Sequence, residues 1–251
     1  MGALTQGDLL ALWESGRTLH PLDQGVLAVR AAFPQTRRES VADWPLGRRN
    51  RALAELRCVH FGTQLRGWTA CRGCGDKLEF EMDGRALMEQ AEPEANHLEK
   101  HESEDRRVVV NGTVFRLPTS RDLALIASER DAGAAAILLA KRCRVGDSQD
   151  DFDGPRPLET WTEEELEAVG EGMAEADPLA EILLSFECPA CGDTCREPLD
   201  LAAFLWEEIE ARAKRLLLDI HALASAYGWS EAEILSLSEA RRQCYLEMVQ
   251  A

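Results

Sequence analysis

The sequence predicts a mainly α fold with a small β ribbon (α+β). A helical N-terminal part and a C-terminal helical hairpin are joined in it through a four-cysteine metal site. Three observations predict this. Leu201, Leu205, Ile209, Ala213, Leu216, Ile220, Leu223 and Tyr227 step by three or four, which draws one apolar stripe along a long helix. The pattern Cys-x-x-Cys-Gly-Asp occurs twice, at 71–76 and 188–193. The stretch 78–83, LEFEMD, alternates apolar and acidic residues with the period of two of a half-buried strand.

Residues 1–66 read as a helical region. Leu9, Leu10, Leu12 and Trp13 sit at helical spacing before Gly16 interrupts. A second helix follows Pro21 and stops at Phe33-Pro34; a third runs from Pro45 to His60 with Leu46, Leu53, Leu56 and Cys58 on its apolar side. Residues 67–88 hold the first cysteine knuckle and its strand. Residues 89–184 form an acidic insert, poor in apolar residues over 89–107 and therefore a loop there. Inside the insert, VVVNGTVFRL reads as a hairpin turning at Asn111-Gly112 in type I′ geometry. Thr119 or Ser120 caps a helix after it. The stretch 147–157 is a linker, and Thr162 with Glu165 matches a capping box. The second knuckle occupies 185–200. The region 201–251 carries the long helix, a C′ glycine at Gly228, a Ser230–Glu233 capping box with Trp229 and Ile234 at the staple positions, and a last helix with Tyr245 and Leu246. Glu208–Arg212 and Glu210–Lys214 are placed to pair across one turn.

Composition narrows the function classes. The formal net charge is −17, which argues against nonspecific nucleic-acid binding and against docking on an anionic membrane surface. The one stretch with a positive balance is 1–60, where Arg37, Arg38, Arg48, Arg49 and Arg51 cluster. The acidic run over 147–181 reads as a solvated face, with a docking surface for a basic partner as the sharper alternative. The opening residues show no secretory pattern and no stretch approaches a membrane span. A cytoplasmic protein is expected, in which thiols stay reduced.

Eight cysteines in such a chain point to metal. Each Cys-x-x-Cys-Gly-Asp is a knuckle that offers two thiolates, and Gly75 and Gly192 let backbone N–H groups approach the sulfurs. Zinc takes four soft ligands in a tetrahedron, so Cys71, Cys74, Cys188 and Cys191 are expected to share one structural Zn2+. Ordinary ribbons separate their knuckles by about 15–20 residues; here residues 75–187 intervene. A redox role is disfavoured because Cys71 and Cys74 lead into a strand rather than a helix N-terminus. A catalytic metal is disfavoured because four thiolates leave no position for water. Cys195 is a spare ligand or a bystander. Cys58, Cys143 and Cys244 read as small core residues, and His221 as a packing or surface residue. No catalytic constellation is present, so a non-enzymatic protein is expected.

One further pattern lies at 219–249, DIHALASAYGWSEAEILSLSEARRQCYLEMV. Together with EADPLAEILLSFECPACG and DWPLGRRNRALAELR, it resembles the baseplate hub assembly family of T-even-type phages and related contractile injection systems. The resemblance covers most of the chain and is strongest over 175–249. It implies an assembly factor or small structural component that binds baseplate, hub or other tail proteins, without a small-molecule substrate, nucleic acid or membrane, and that is either transient or incorporated in the assembled particle. Tyr227, Trp229, Ile234 and Tyr245 are the contact residues expected on this basis. The alternative reading is a zinc-ribbon adaptor in nucleic-acid handling or transcription, with the arginine cluster meeting phosphates.

Overall fold

The computed structural model describes residues 4–34, 40–90, 107–146 and 160–250. The chain divides into two compact units, one of 1–34 with 202–251 and one of 35–201. Most of the acidic loop expected at 89–107, the linker at 147–157, Arg37 and Arg38 lie outside the described residues.

The first unit is helical. Thr5 opens α1 (Gln6–Gly16) with a capping box: its hydroxyl accepts from the Asp8 N–H at 3.1 Å, and the Asp8 carboxylate accepts from the Thr5 N–H at 2.9 Å. Pro21 occupies the first turn of α2 (Pro21–Ala32), where a missing N–H costs nothing. Near the other end of the chain lies α8 (Leu201–Tyr227), and Leu205, Ile209, Ala213, Leu216 and Leu223 of its stripe are almost fully buried. Each Leu or Ile so buried contributes about 1.5–3 kcal/mol relative to exposure. Gly228, at φ 68°, ends the helix by donating its N–H to the Ala224 carbonyl. Ser230 and Glu233 then close the box that starts α9 (Glu231–Ser236), and α10 (Glu239–Gln250) follows.

The N-terminal and C-terminal helices meet directly within this unit. A methyl group at Gly16 would overlap the Trp206 ring, so α1 and α8 approach as closely as a glycine permits. Arg242, only 3% exposed, bonds Asp219 at 3.1 Å and also reaches Gln6. The Glu210–Lys214 pair forms at 2.7 Å, and Arg212 donates to Glu239 of α10.

The second unit begins with a short 3-10 turn at Val41–Asp43 and α3 (Leu46–Phe61), which Gly62 at φ 89° ends. Here the sequence reading needs two corrections. The helical region stops before residue 66, because β1 (Gln64–Ala70) pairs antiparallel with β2 (Lys77–Asp83) from Gln64↔Asp83 to Ala70↔Lys77. The arginines of the cluster that are described are also engaged within the fold and do not form an open patch. Arg49 and Arg57 are buried, Arg49 donating to Ser120 Oγ and to Asn50 Oδ1, Arg57 to the Gly62 carbonyl. Arg48 stacks at 3.9 Å over Trp44, and Arg51 donates to the Met88 carbonyl in α4 (Gly84–Gln90).

The hairpin of β3 (Arg107–Val110) and β4 (Thr113–Arg116) turns at Asn111 and Gly112, both at positive φ as type I′ requires. Its inner face joins α6 (Ala132–Cys143) and α7 (Glu163–Ala176) in a core of Val108, Phe115, Cys143, Trp161, Val169 and Met173. Phe115 meets Trp161 edge to face at 5.9 Å. Thr119 caps α5 (Ser120–Ile126), and its partner Asp122 is wholly buried. The Asp122 carboxylate accepts two bonds from Arg116, at 2.7 and 2.9 Å, two from Thr119 and one from Arg142. Asp177, just past α7, accepts the Gly47 N–H at 2.8 Å and so caps α3 from outside; any side chain at Gly47 would overlap that carboxylate. The last strands of the unit, β5 (Leu183–Glu187) and β6 (Thr194–Pro198), pair antiparallel. Among the described residues no helix is long and apolar enough to cross a membrane.

Candidate metal centre

The two cysteine knuckles are built alike because each is the loop of a β hairpin. Ala70↔Lys77 closes the first loop and Glu187↔Thr194 the second, so both loops have the length of Cys-x-x-Cys-Gly-Asp. In the first, the Cys71 N–H donates to the Asp76 carbonyl and the Gly75 N–H to the Cys71 carbonyl, both at 2.8 Å. In the second, Cys188 donates to Asp193 and Gly192 to Cys188, again both at 2.8 Å. Gly75 and Gly192 take matching left-handed conformations, φ 79° and 75°, where a Cβ is disfavoured. The repeated sequence thus produces a repeated structure.

The two loops face one another. Cys71 Sγ lies 3.7 Å from Cys191 Sγ, and Cys74 Sγ lies 3.6 Å from Cys188 Sγ. All four sulfurs fall within 4.8 Å of one another. A disulfide needs about 2.0 Å between sulfurs, and every described cysteine is free. Four sulfurs each about 2.3 Å from one tetrahedral ion lie about 3.8 Å apart. The cluster therefore has the dimensions of a four-thiolate metal site. All four cysteines belong to the 35–201 unit. Cys71 and Cys188 are buried, whereas Cys74 and Cys191 are exposed.

The electrostatics fit a site shaped for a cation. The Cys74 N–H, with help from Gly73 and the thiols of Cys188 and Cys191, lowers Cys71 to about 7 against the opposing effect of burial. The Asp193 N–H pulls Cys191 down, but Cys74, Cys188, burial and Cys71 outweigh it and push this thiol up to about 12. Cys74 is also raised, the N–H of Asp76 notwithstanding. Thiolates packed this closely repel one another, and a bound divalent ion removes that repulsion. Both loops run into strands, β2 and β6, so neither pair sits at a helix N-terminus.

Cys195 lies outside the set of four. It is buried with Cys71, Leu78, Cys188 and Phe186. Laying the two hairpins over each other puts Cys195 where the first has Leu78, each directly after the residue that closes its loop. It fills the place of an apolar side chain. Arg72 of the first loop clasps Glu197 of β6, its Nε 2.5 Å and Nη2 3.0 Å from the two carboxylate oxygens, and Phe80 meets Phe186 at 6.0 Å. The sequence reading did not include this lateral pairing. Cys143 is buried as expected and Cys58 half-buried, but Cys244 is exposed because Arg242 and Leu246 take the inward positions of α10.

The expected contact residues lie in the other unit. Trp229 stacks on Tyr227 at 4.7 Å and meets Tyr245 edge-on at 4.9 Å. Tyr227 is 40% exposed, and Trp229 and Tyr245 are half-buried. Ile234 is wholly buried, so it supports the cap from within and has no surface to offer a partner. His221 is exposed on α8. Comparison of the chain with protein-family models, curated proteins and solved structures finds no match.

Proposed function

We propose that the protein is a non-enzymatic assembly factor or structural component of the baseplate hub of a contractile, phage-tail-like particle, acting in the cytoplasm and folded around a structural zinc. The observation that carries this reading is the 219–249 sequence, which resembles the hub assembly family and which occupies the end of α8, α9 and α10. The Ser230–Glu233 box and the Tyr227–Trp229–Tyr245 cluster hold that end in one geometry while leaving part of the aromatic surface open. Aromatic side chains held rigidly are effective contact residues, since little conformational entropy is lost when they bind.

The zinc half of the proposal rests on Cys71, Cys74, Cys188 and Cys191. Thiolate sulfur in a tetrahedral set selects zinc or iron, and paired knuckles of this kind make a zinc ribbon from the β1–β2 and β5–β6 hairpins. Four protein ligands leave no open position, so the ion would hold the fold and do no chemistry. The nucleic-acid adaptor reading gains nothing from the arginines at 48, 49, 51 and 57, which are engaged inside the fold.

A tagged copy purified from its native cells tests the proposal, with mass spectrometry of intact particles and of the free pool. Tail or hub proteins are expected with it in one pool or both. The Tyr227→Ala/Trp229→Ala variant should retain its metal and lose those partners. Recovery of unrelated proteins only, or normal particle assembly after deletion of 228–251, would remove the hub reading.

A further inference from the structure

Among the described residues, the β3–β4 hairpin has one covered edge and one open edge. On the covered side, the Val114 carbonyl accepts the Val145 N–H at 2.8 Å. Val114 stands opposite Val109. Such non-bonded pairs in an antiparallel ladder turn their N–H and C=O groups away from each other. Val109 therefore points its backbone donor and acceptor outward on the other side, where no described residue bonds them. Its side chain is 64% exposed. The remaining hairpins carry charge pairs on their exposed faces, Arg66–Glu81 and Lys77–Glu79 on the first and Arg72–Glu197 across to the second. Such charges discourage strand addition. On β3, Arg107 is the lone charge.

A groove of roughly 500 Å³ runs between this strand and α7. Gly172 permits the close approach, since a Cβ there would press on Val108. Ala168, Gly172 and Ala176 line the helix side, and Glu171 and Glu175 stand exposed on it. The groove thus combines backbone groups that no described residue bonds, a small-residue wall and two carboxylates.

We propose that the outer edge of β3 is a docking edge for an extended, basic segment of a partner protein, which adds as a further strand and sets its Lys or Arg side chains against Glu171 and Glu175. Backbone bonding supplies affinity in such strand addition and the flanking side chains supply selectivity. A second copy of this chain is a poor occupant, because it would bring the same carboxylates to the same edge. The proposal stands independently of the hub reading.

The test uses the full chain and three labelled peptides: alternating valine and lysine, alternating valine and glutamate, and the lysine peptide with a central proline. Fluorescence anisotropy at low salt should show binding of the lysine peptide alone, and hydrogen exchange at the Val109 amide should slow on binding. Val109→Pro removes the outward N–H at an edge position that tolerates proline, and should abolish binding. Glu171→Lys/Glu175→Lys leaves the strand intact and should weaken the lysine peptide by about tenfold or more. No binding, equal binding of the glutamate peptide, or an affinity untouched by the glutamate reversals overturns the proposal. So does a Val109 amide already protected in the free protein, which would mean that the chain covers its own edge, or a concentration-dependent dimer that hides it.

Discussion

Removing the proposed zinc should destabilise the 35–201 unit by an amount set by the chain between the two knuckles. Cys74 and Cys188 are 114 positions apart. Closing a loop of that size restricts the unfolded chain by roughly 4–5 kcal/mol, on the relation used for covalent cross-links. The fold supplies little to offset its loss, because the other ties seen between the knuckle hairpins among the described residues are small: the Arg72–Glu197 pair, a tilted contact of Phe80 with Phe186, and the packing of Leu78 with Cys195. Unfolding stabilities of whole domains are about 5–15 kcal/mol, so the clasp is a large fraction of the total. With a urea m-value of about 2 kcal/mol/M, Cys188→Ser should lower the midpoint by roughly 2 M. Cys71→Ser should do the same, since both remove one ion from one site. The assay pairs urea titrations with metal content by plasma mass spectrometry, which also separates zinc from iron. One equivalent of zinc is expected in the native chain and none in either variant. Retention of zinc by one variant would break the shared-site reasoning, and an unchanged midpoint in a metal-free variant would break the loop-closure reasoning.

Further predictions concern the surroundings of the site and the two cores. Cys195→Ala should retain the full equivalent of zinc and cost about 1 kcal/mol by urea titration, as for a small cavity; loss of zinc would place Cys195 among the ligands. Asp122→Asn should cost about 3–5 kcal/mol, because Arg116 and Arg142 lose their buried counter-charge. Burial pushes the Asp122 carboxyl up, but Arg116 and Thr119 outweigh it and hold it at about 2, against 3.8 for the free group. A depressed pKa stabilises the fold above the unfolded value, and that stability is lost as pH falls through the folded one. Roughly 2 kcal/mol should therefore disappear between about pH 4 and pH 2, and the Asn variant should show a flatter acid limb in the same window. Gly16→Ala should lower stability by about 1–3 kcal/mol through overlap with Trp206, and Trp206→Leu in the same chain should recover part of the loss in thermal melts.

Sequence pattern reached the parts of the fold whose signals are local. The α8 stripe, the Asn111-Gly112 hairpin and the boxes at Thr162 and Ser230 each lie within one element, and their residues suffice to specify them. The four cysteines were legible from the repeated motif, since the same loop closes both hairpins. The strand β1 was not, because its half-buried positions include Gly67 and Thr69, which carry little hydrophobic signal. The arginines of α3 misled for a different reason. A guanidinium reads as surface in a linear pattern, and one of the two acceptor residues of buried Arg49 is Ser120, 71 positions away. Ile234 shows the reverse: the capping box it follows is legible in the sequence, but its burial leaves no face for a partner.

The seat of Asp177 on Gly47 joins two positions that no local pattern connects. Glycine near the start of a helix usually reads as a weakness, yet here its N–H receives a carboxylate that leaves no room for a β-carbon. Position 47 is therefore constrained by its neighbour and not by its own backbone angles. Across related chains the two sites should drift together: glycine at 47 wherever an aspartate follows α7, and a larger residue at 47 only where position 177 has shrunk or lost its charge. A designer who mutates one without the other should see a penalty that the second change largely cancels.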